Sequence, residues 1–125
     1  MTASEATKLA QRASEQITAE VKSWPGVEAG PGRRGEFAFR VGRREIGHLH
    51  GDRAAHFNFP KATWSKLMGQ GRIEPHPVFP TAHGPAARRI RSDDDVADVI
   101  GLMRMNYDRL TGRAVAAATG PGADR

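Results

Sequence analysis

Two strand-like runs separated by a glycine-first dipeptide constrain this chain more than any other feature. Glu36-Phe37-Ala38-Phe39-Arg40-Val41 is followed by Gly42-Arg43 and then by Arg44-Glu45-Ile46-Gly47-His48-Leu49-His50. A two-residue connection with glycine first predicts a β-hairpin. Its simplest register sets Val41 against Arg44, Arg40 against Glu45, Phe39 against Ile46 and Phe37 against His48. Directly opposed residues share a sheet face. The expectation is an Arg40–Glu45 ion pair on one face, with Phe37, Phe39, Ile46 and His48 on the other. His50, two residues beyond His48, points the same way as His48.

Helices and further strands are predicted around that ribbon. Ala6, Leu9, Ala10, Ala13, Ile17, Val21 and Trp24 recur every three or four residues, which predicts an amphipathic helix over 3–24. Thr2 or Ser4 would cap it, and Trp24-Pro25-Gly26 would end it. Gly30-Pro31-Gly32-Arg33-Arg34-Gly35 has the spacing of a dinucleotide fingerprint, but a strand follows it where a helix is required, so it reads as a turn. A short strand over 53–59 carries Ala55, Phe57 and Phe59 on one face. Pro60 then opens a short helix whose buried stripe is Trp64, Leu67 and Met68. Three prolines in Glu74-Pro75-His76-Pro77-Val78-Phe79-Pro80 assign that stretch to a sheet edge or a loop. After a strand over 86–91, Ser92 caps a last helix whose first turn holds Asp93, Asp94 and Asp95. Val96, Val99, Ile100, Met103, Tyr107 and Leu110 form its inward stripe, and Gly112 closes it.

The predicted fold is α+β: an antiparallel sheet built on a hairpin, with N-terminal, inserted and C-terminal helices packed on it. A chain of 125 residues suits one domain, expected over 1–111. Residues 112–125 are rich in alanine and glycine and are expected to form a disordered tail. Cysteine is absent, which excludes disulfides, thiolate catalysis, cysteine-ligated zinc and iron–sulfur clusters. No run is long and apolar enough for a bilayer, so no membrane association or secretory signal is expected, and a cytoplasmic location is. The formal net charge is +5, mostly from arginine, which suits anionic partners.

Several ordered motifs resemble those of the bacterial luciferase-domain group. They are Trp24-Pro25-Gly26-Val27, Arg44-Glu45-Ile46-Gly47-His48-Leu49-His50-Gly51-Asp52, Phe59-Pro60-Lys61, Glu74-Pro75-His76-Pro77-Val78 and Ser92-Asp93-Asp94-Asp95-Val96, continuing to Tyr107. The resemblance is strongest over 17–110. It implies a shared domain whose activity in bacterial members is not established, and light emission is not inferred from it. Thr81-Ala82-His83-Gly84-Pro85-Ala86-Ala87-Arg88 lacks the Gly-Trp step usual in this group, which implies a differently shaped pocket. In layout alone the chain is similar, more distantly, to MmcQ/YjbR-like domains.

Three readings compete for the histidines. In one, His48, His50 and His76 line a small-molecule pocket and act as general acid or base, while Arg44, Asp52 and Arg88 bind the ligand. In a second, the same three imidazoles hold a metal, with Asp52 or Glu45 assisting. The metal-free form is preferred, and no cofactor is named by the sequence. In the third, His48 is a core-edge residue bonded to a backbone carbonyl, Asp52 caps a turn and His76 is held between prolines for shape. A different class of function is a non-enzymatic basic module for nucleic acid or a protein partner. It requires Arg33, Arg34, Arg40, Arg43, Arg88, Arg89 and Arg91 to merge into one exposed stripe. Nucleic acid is the less favoured partner.

Overall fold

A computed structural model of the chain describes residues 12–112. The elements run α1 (Ala13–Lys22), β1 (Val27–Pro31), β2 (Phe37–Val41), β3 (Arg44–His50), β4 (Ala54–Asn58), α2 (Lys61–Gly69), β5 (Glu74–Pro75), β6 (Pro85–Arg89) and α3 (Asp93–Thr111). The six strands form one antiparallel sheet in the order β1-β2-β3-β4-β6-β5. This is the expected α+β architecture. Among the described residues no helix is long and apolar enough to cross a membrane.

The sheet has two unlike faces because its strands alternate. Ala29, Phe37, Phe39, Leu49, Ala55, Phe57 and Ala86 point inward, where α3 packs on β2, β3 and β6, and α1 packs on β1 and α3. Fully burying a side chain such as Phe39 or Leu49 contributes about 2–3 kcal/mol, so this face holds the fold together. Leu67 of α2 joins the same core, with Trp64 and Met68 packed against it as predicted. The opposite face carries Ala38, Arg40, His48, His50, Ala54, His56 and Ala87, and no helix among the described residues packs on it.

The hairpin turn forms as predicted. Gly42 sits at φ +62° and Arg43 keeps a negative φ, the glycine-first pattern that suits strand twist. Val41 opposes Arg44, and Arg40 opposes Glu45. Beyond them the expected register fails. Phe39 pairs with Gly47 and Phe37 with Leu49, not with Ile46 and His48. The cause is a β-bulge at Ile46: two residues on β3 answer one position on β2, and every later side chain changes face. His48 therefore shares a face with Ala38 rather than with the phenylalanines. The Arg40–Glu45 ion pair does not form either, because the Glu45 carboxylate turns to His48.

Packing explains why the bulge is stable. An ideal Cβ on Gly47 would stand 2.8 Å from Met103 Sδ and 3.1 Å from the His56 carbonyl, so only glycine lets α3 lie this close. Ile46 and Leu49 are both buried on either side of it. The carbonyl of Ile46, the extra residue, accepts a hydrogen bond from Asn106 of α3 at 3.1 Å.

The helices differ from expectation at one end. Helix α1 begins at Ala13, because Arg12 is extended at φ −66° and ψ 145°. The predicted start at residue 3 and its Thr2 or Ser4 cap lie outside the described residues, as does the predicted 112–125 tail apart from Gly112. At the N-terminus of α3, Ser92 is the predicted cap, and its Oγ accepts from the Asp95 amide at 3.2 Å. Ser92→Ala is expected to cost about 1 kcal/mol in a urea titration, since one helix-end donor loses its partner. An unchanged midpoint would refute that role.

Candidate functional site: a histidine cluster on the open sheet face

The bulge turns the β3 imidazoles onto the open sheet face, where the expected register would have set them among the phenylalanines. His48 and His50 alternate on β3, and His56 lies directly across from His48 on β4. The His50 and His56 ring centroids are 4.2 Å apart, His48 and His50 4.9 Å, and His48 and His56 5.2 Å. One ring nitrogen from each of these three residues lies within 4.8 Å of the others. His76, from the segment after β5, packs its ring 4.4 Å from His56. Phe79 closes that side, 5.3 Å from His76 and half exposed beside the exposed Val78.

Two hydrogen bonds fix tautomers. Glu45 Oε2 lies 2.7 Å from His48 Nδ1. An ionised carboxylate only accepts, so Nδ1 carries a proton, and the neutral ring has its lone pair at Nε2. Glu45 and His48 are three residues apart in a strand and would ordinarily face opposite ways; the intervening bulge brings them together. His76 has the opposite arrangement. Its Nδ1 accepts the Val78 amide at 3.0 Å, which leaves Nε2 as the protonated nitrogen of the neutral ring.

Burial first, and neighbouring imidazoles second, lower the pKa of three rings in the cluster. Burial, then the neighbouring His50, His76 and His48, pushes His56 from the ordinary 6.5 down to about 4. His50 is also lowered, by burial and then by His48, with the Glu36 carboxylate opposing the shift. His76 is lowered by burial and by His48 and His50. Neutral imidazoles at physiological pH are lone-pair donors, able to accept a proton or ligate a cation.

The other predicted site residues lie elsewhere. Arg88 is on the inner face, where its guanidinium bonds Asp95 at 2.7 Å, Asp98 at 2.8 Å and the Arg72 carbonyl at 2.9 Å. Asp52 turns toward α1 and accepts the Ser14 amide at 2.8 Å, serving as a long-range cap for a helix whose own first residue supplies none. Arg44 opposes Val41, on the inner side, and lies close enough to Arg109 to lower its pKa, an effect second to burial. The structure thus brings His48, His50 and His76 together and adds His56, but leaves Arg44, Asp52 and Arg88 apart from them. An open cleft of about 800 Å³ lies between α1 and the sheet, lined by Ser14, Thr18, Lys22, Phe37 and Leu49; none of the histidines lines it.

His56 went unnoticed in the sequence reading, although a signal exists. In His48-Leu49-His50-Gly51-Asp52-Arg53-Ala54-Ala55-His56, a tight turn centred on Asp52 pairs residues whose numbers sum equally, which sets His48 against His56. Ala55 and Phe57 face the core, so alternation alone also turns His56 outward.

An antiparallel sheet with helices on one face and a cluster of imidazoles on the other defines a small α+β protein with a histidine-rich open surface. The luciferase domain matches residues 43–106, just over half of the chain, and the protein belongs to the luciferase-domain family. No curated protein and no solved structure matches it. The matched span contains His48, His50, His56 and His76, together with Glu45 and Asn106.

Proposed function

We propose that this face binds a small molecule and performs acid–base or metal-assisted chemistry on it, with His48, His50 and His76 as the working groups and His56 completing them. The observation that carries the reading is the pair of opposite tautomers. His48 offers a lone pair at Nε2 while His76 offers a proton at Nε2, a base and an acid joined through the rings of His50 and His56. Exposed Val78 and Phe79 supply an apolar flank for a ligand. The reading takes the site to belong to a single domain over 1–111 in a cytoplasmic protein, which a cysteine-free chain suits. Light emission is no part of it.

The basic-module alternative finds less support. Arg88 and Arg89 are engaged by Asp95, Asp98 and Glu74. Arg33 and Arg34 stand at one end of β2 and Arg43 at the other, separated by about 15 Å of strand, so they do not make one stripe.

A His48→Ala/His50→Ala double variant should fold, because neither side chain is buried. It should lose the thermal shifts that the parent shows across a panel of metabolites and metal salts. A parent that shows no shift with any compound, or a variant that keeps them all, would refute the reading.

A further inference from the structure

We infer that His48, His50 and His56 form a three-imidazole site for a divalent first-row transition cation of the zinc class, oriented by Glu45, while His76 stays off the cation as a hydrogen-bond donor to whatever occupies its open position. The inference deepens the small-molecule reading and rests on it.

The donor set comes from two paired strands rather than from loops. His48 and His50 share one face of β3, and His56 is the direct cross-strand partner of His48. A tetrahedral site with metal–nitrogen bonds of about 2.0–2.1 Å sets its nitrogens about 3.4 Å apart. The three nitrogens already lie within 4.8 Å of one another, close to the spacing such a site requires. His48 arrives prepared: Glu45 Oε2 accepts from its Nδ1 at 2.7 Å, the carboxylate–histidine arrangement that orients a ligating ring and raises its basicity.

Chemistry selects the cation. Three imidazole donors and no thiolate suit borderline ions such as Zn²⁺, Co²⁺ or Ni²⁺, and do not suit Mg²⁺ or Ca²⁺, which require oxygen ligands. Three protein ligands leave a tetrahedral ion one position open, the arrangement of a catalytic rather than a structural centre. His50 is exposed, so that position is reachable from solvent.

His76 is distinguished by its backbone contact. The Val78 amide occupies Nδ1, and the proton this leaves on Nε2 makes the neutral ring a donor rather than a ligand. Its packing against His56 keeps that donor beside the proposed ion.

Calorimetric titration of the full chain with Zn²⁺, and visible absorption of its Co²⁺ form, test the assignment. One equivalent should bind, with a tetrahedral Co²⁺ spectrum. Glu45→Gln should weaken uptake by about 10–100-fold. His50→Ala, whose exposed position secures folding, should weaken it at least as much, and His56→Ala likewise if it folds. His76→Ala and the remote His83→Ala should bind as the parent does. Uptake that survives His50→Ala, or that falls with His76→Ala as far as with His50→Ala, overturns the assignment. A parent that binds neither ion, yet shows His50-dependent thermal shifts with a metal-free metabolite, overturns the metal inference and leaves the small-molecule reading standing. Stoichiometric metal uptake without any small-molecule response supports the cation site and counts against that reading instead.

Discussion

Asn106→Ala is expected to destabilise the fold by about 3 kcal/mol and to loosen the histidine face in the same step. Asn106 is buried in the middle of α3, and all its polar capacity is used. Its Nδ2 donates to the Ile46 carbonyl at 3.1 Å and to the Asn58 carbonyl at 3.2 Å. Its Oδ1 accepts from Arg109 Nη2 at 2.9 Å and Nε at 3.2 Å. Alanine would strand two carbonyls at about 1–3 kcal/mol for each buried group, with an added packing loss. For a domain of this size the midpoint of thermal unfolding should fall by about 15 °C. Asn106→Leu separates the causes: it keeps the branched outline and leaves no cavity, so a loss close to that of alanine assigns the effect to hydrogen bonding.

The link to the site runs through the bulge. Ile46 has no partner on β2, so Asn106 is what holds its carbonyl in place. Were the bulge lost, pairing would shift by one residue and His48 would turn toward the phenylalanines. Amide exchange at Gly47 and His48 should therefore quicken in Asn106→Ala by more than the global loss of stability requires. Equal quickening across the whole sheet would show that Asn106 supports the core without positioning the bulge.

Local chemistry was readable in the sequence, and its global consequences were less so. Gly42-Arg43, Pro60, Ser92 and Gly112 act within a few residues of themselves, and each punctuates the chain where it was expected to. The apolar stripe of α3 was legible for the same reason, since periodicity names the buried face without reference to a partner. The bulge was not. It arises because Gly47 admits Met103 and Asn106 captures a carbonyl sixty residues away, and neither contact leaves a mark on the local pattern of β3. One unpaired residue then reversed the face assigned to His48 and moved Glu45 from Arg40 to an imidazole. Arg88 shows the same limit: its acids are on α3, and only the tertiary fold reveals that they engage it.

Acidification should weaken the fold through His56, and the direction follows from its depressed pKa. The folded chain holds this ring neutral down to about pH 4, whereas the unfolded chain protonates it near the ordinary 6.5. Between those values the unfolded state binds more protons, so stability is complete above about pH 6.5 and declines as pH falls toward 4. The ring is 8% exposed and borders solvent, so the loss is about 2 kcal/mol rather than the full amount the shift would imply in a dry interior. His50 and His76, also lowered, act in the same direction. Glu36 opposes the shift of His50, and Glu45 faces His48. His56→Leu isolates the contribution, because leucine fills the position without titrating and frees His50 and His76 of a charged neighbour. In chelator-treated protein, the stability difference between parent and variant should move by about 2 kcal/mol in favour of the variant from neutral pH to about pH 4. A difference that stays constant across that range would mean the His56 ring protonates as readily in the folded chain as in the unfolded one, and that burial and its histidine neighbours do not hold it neutral.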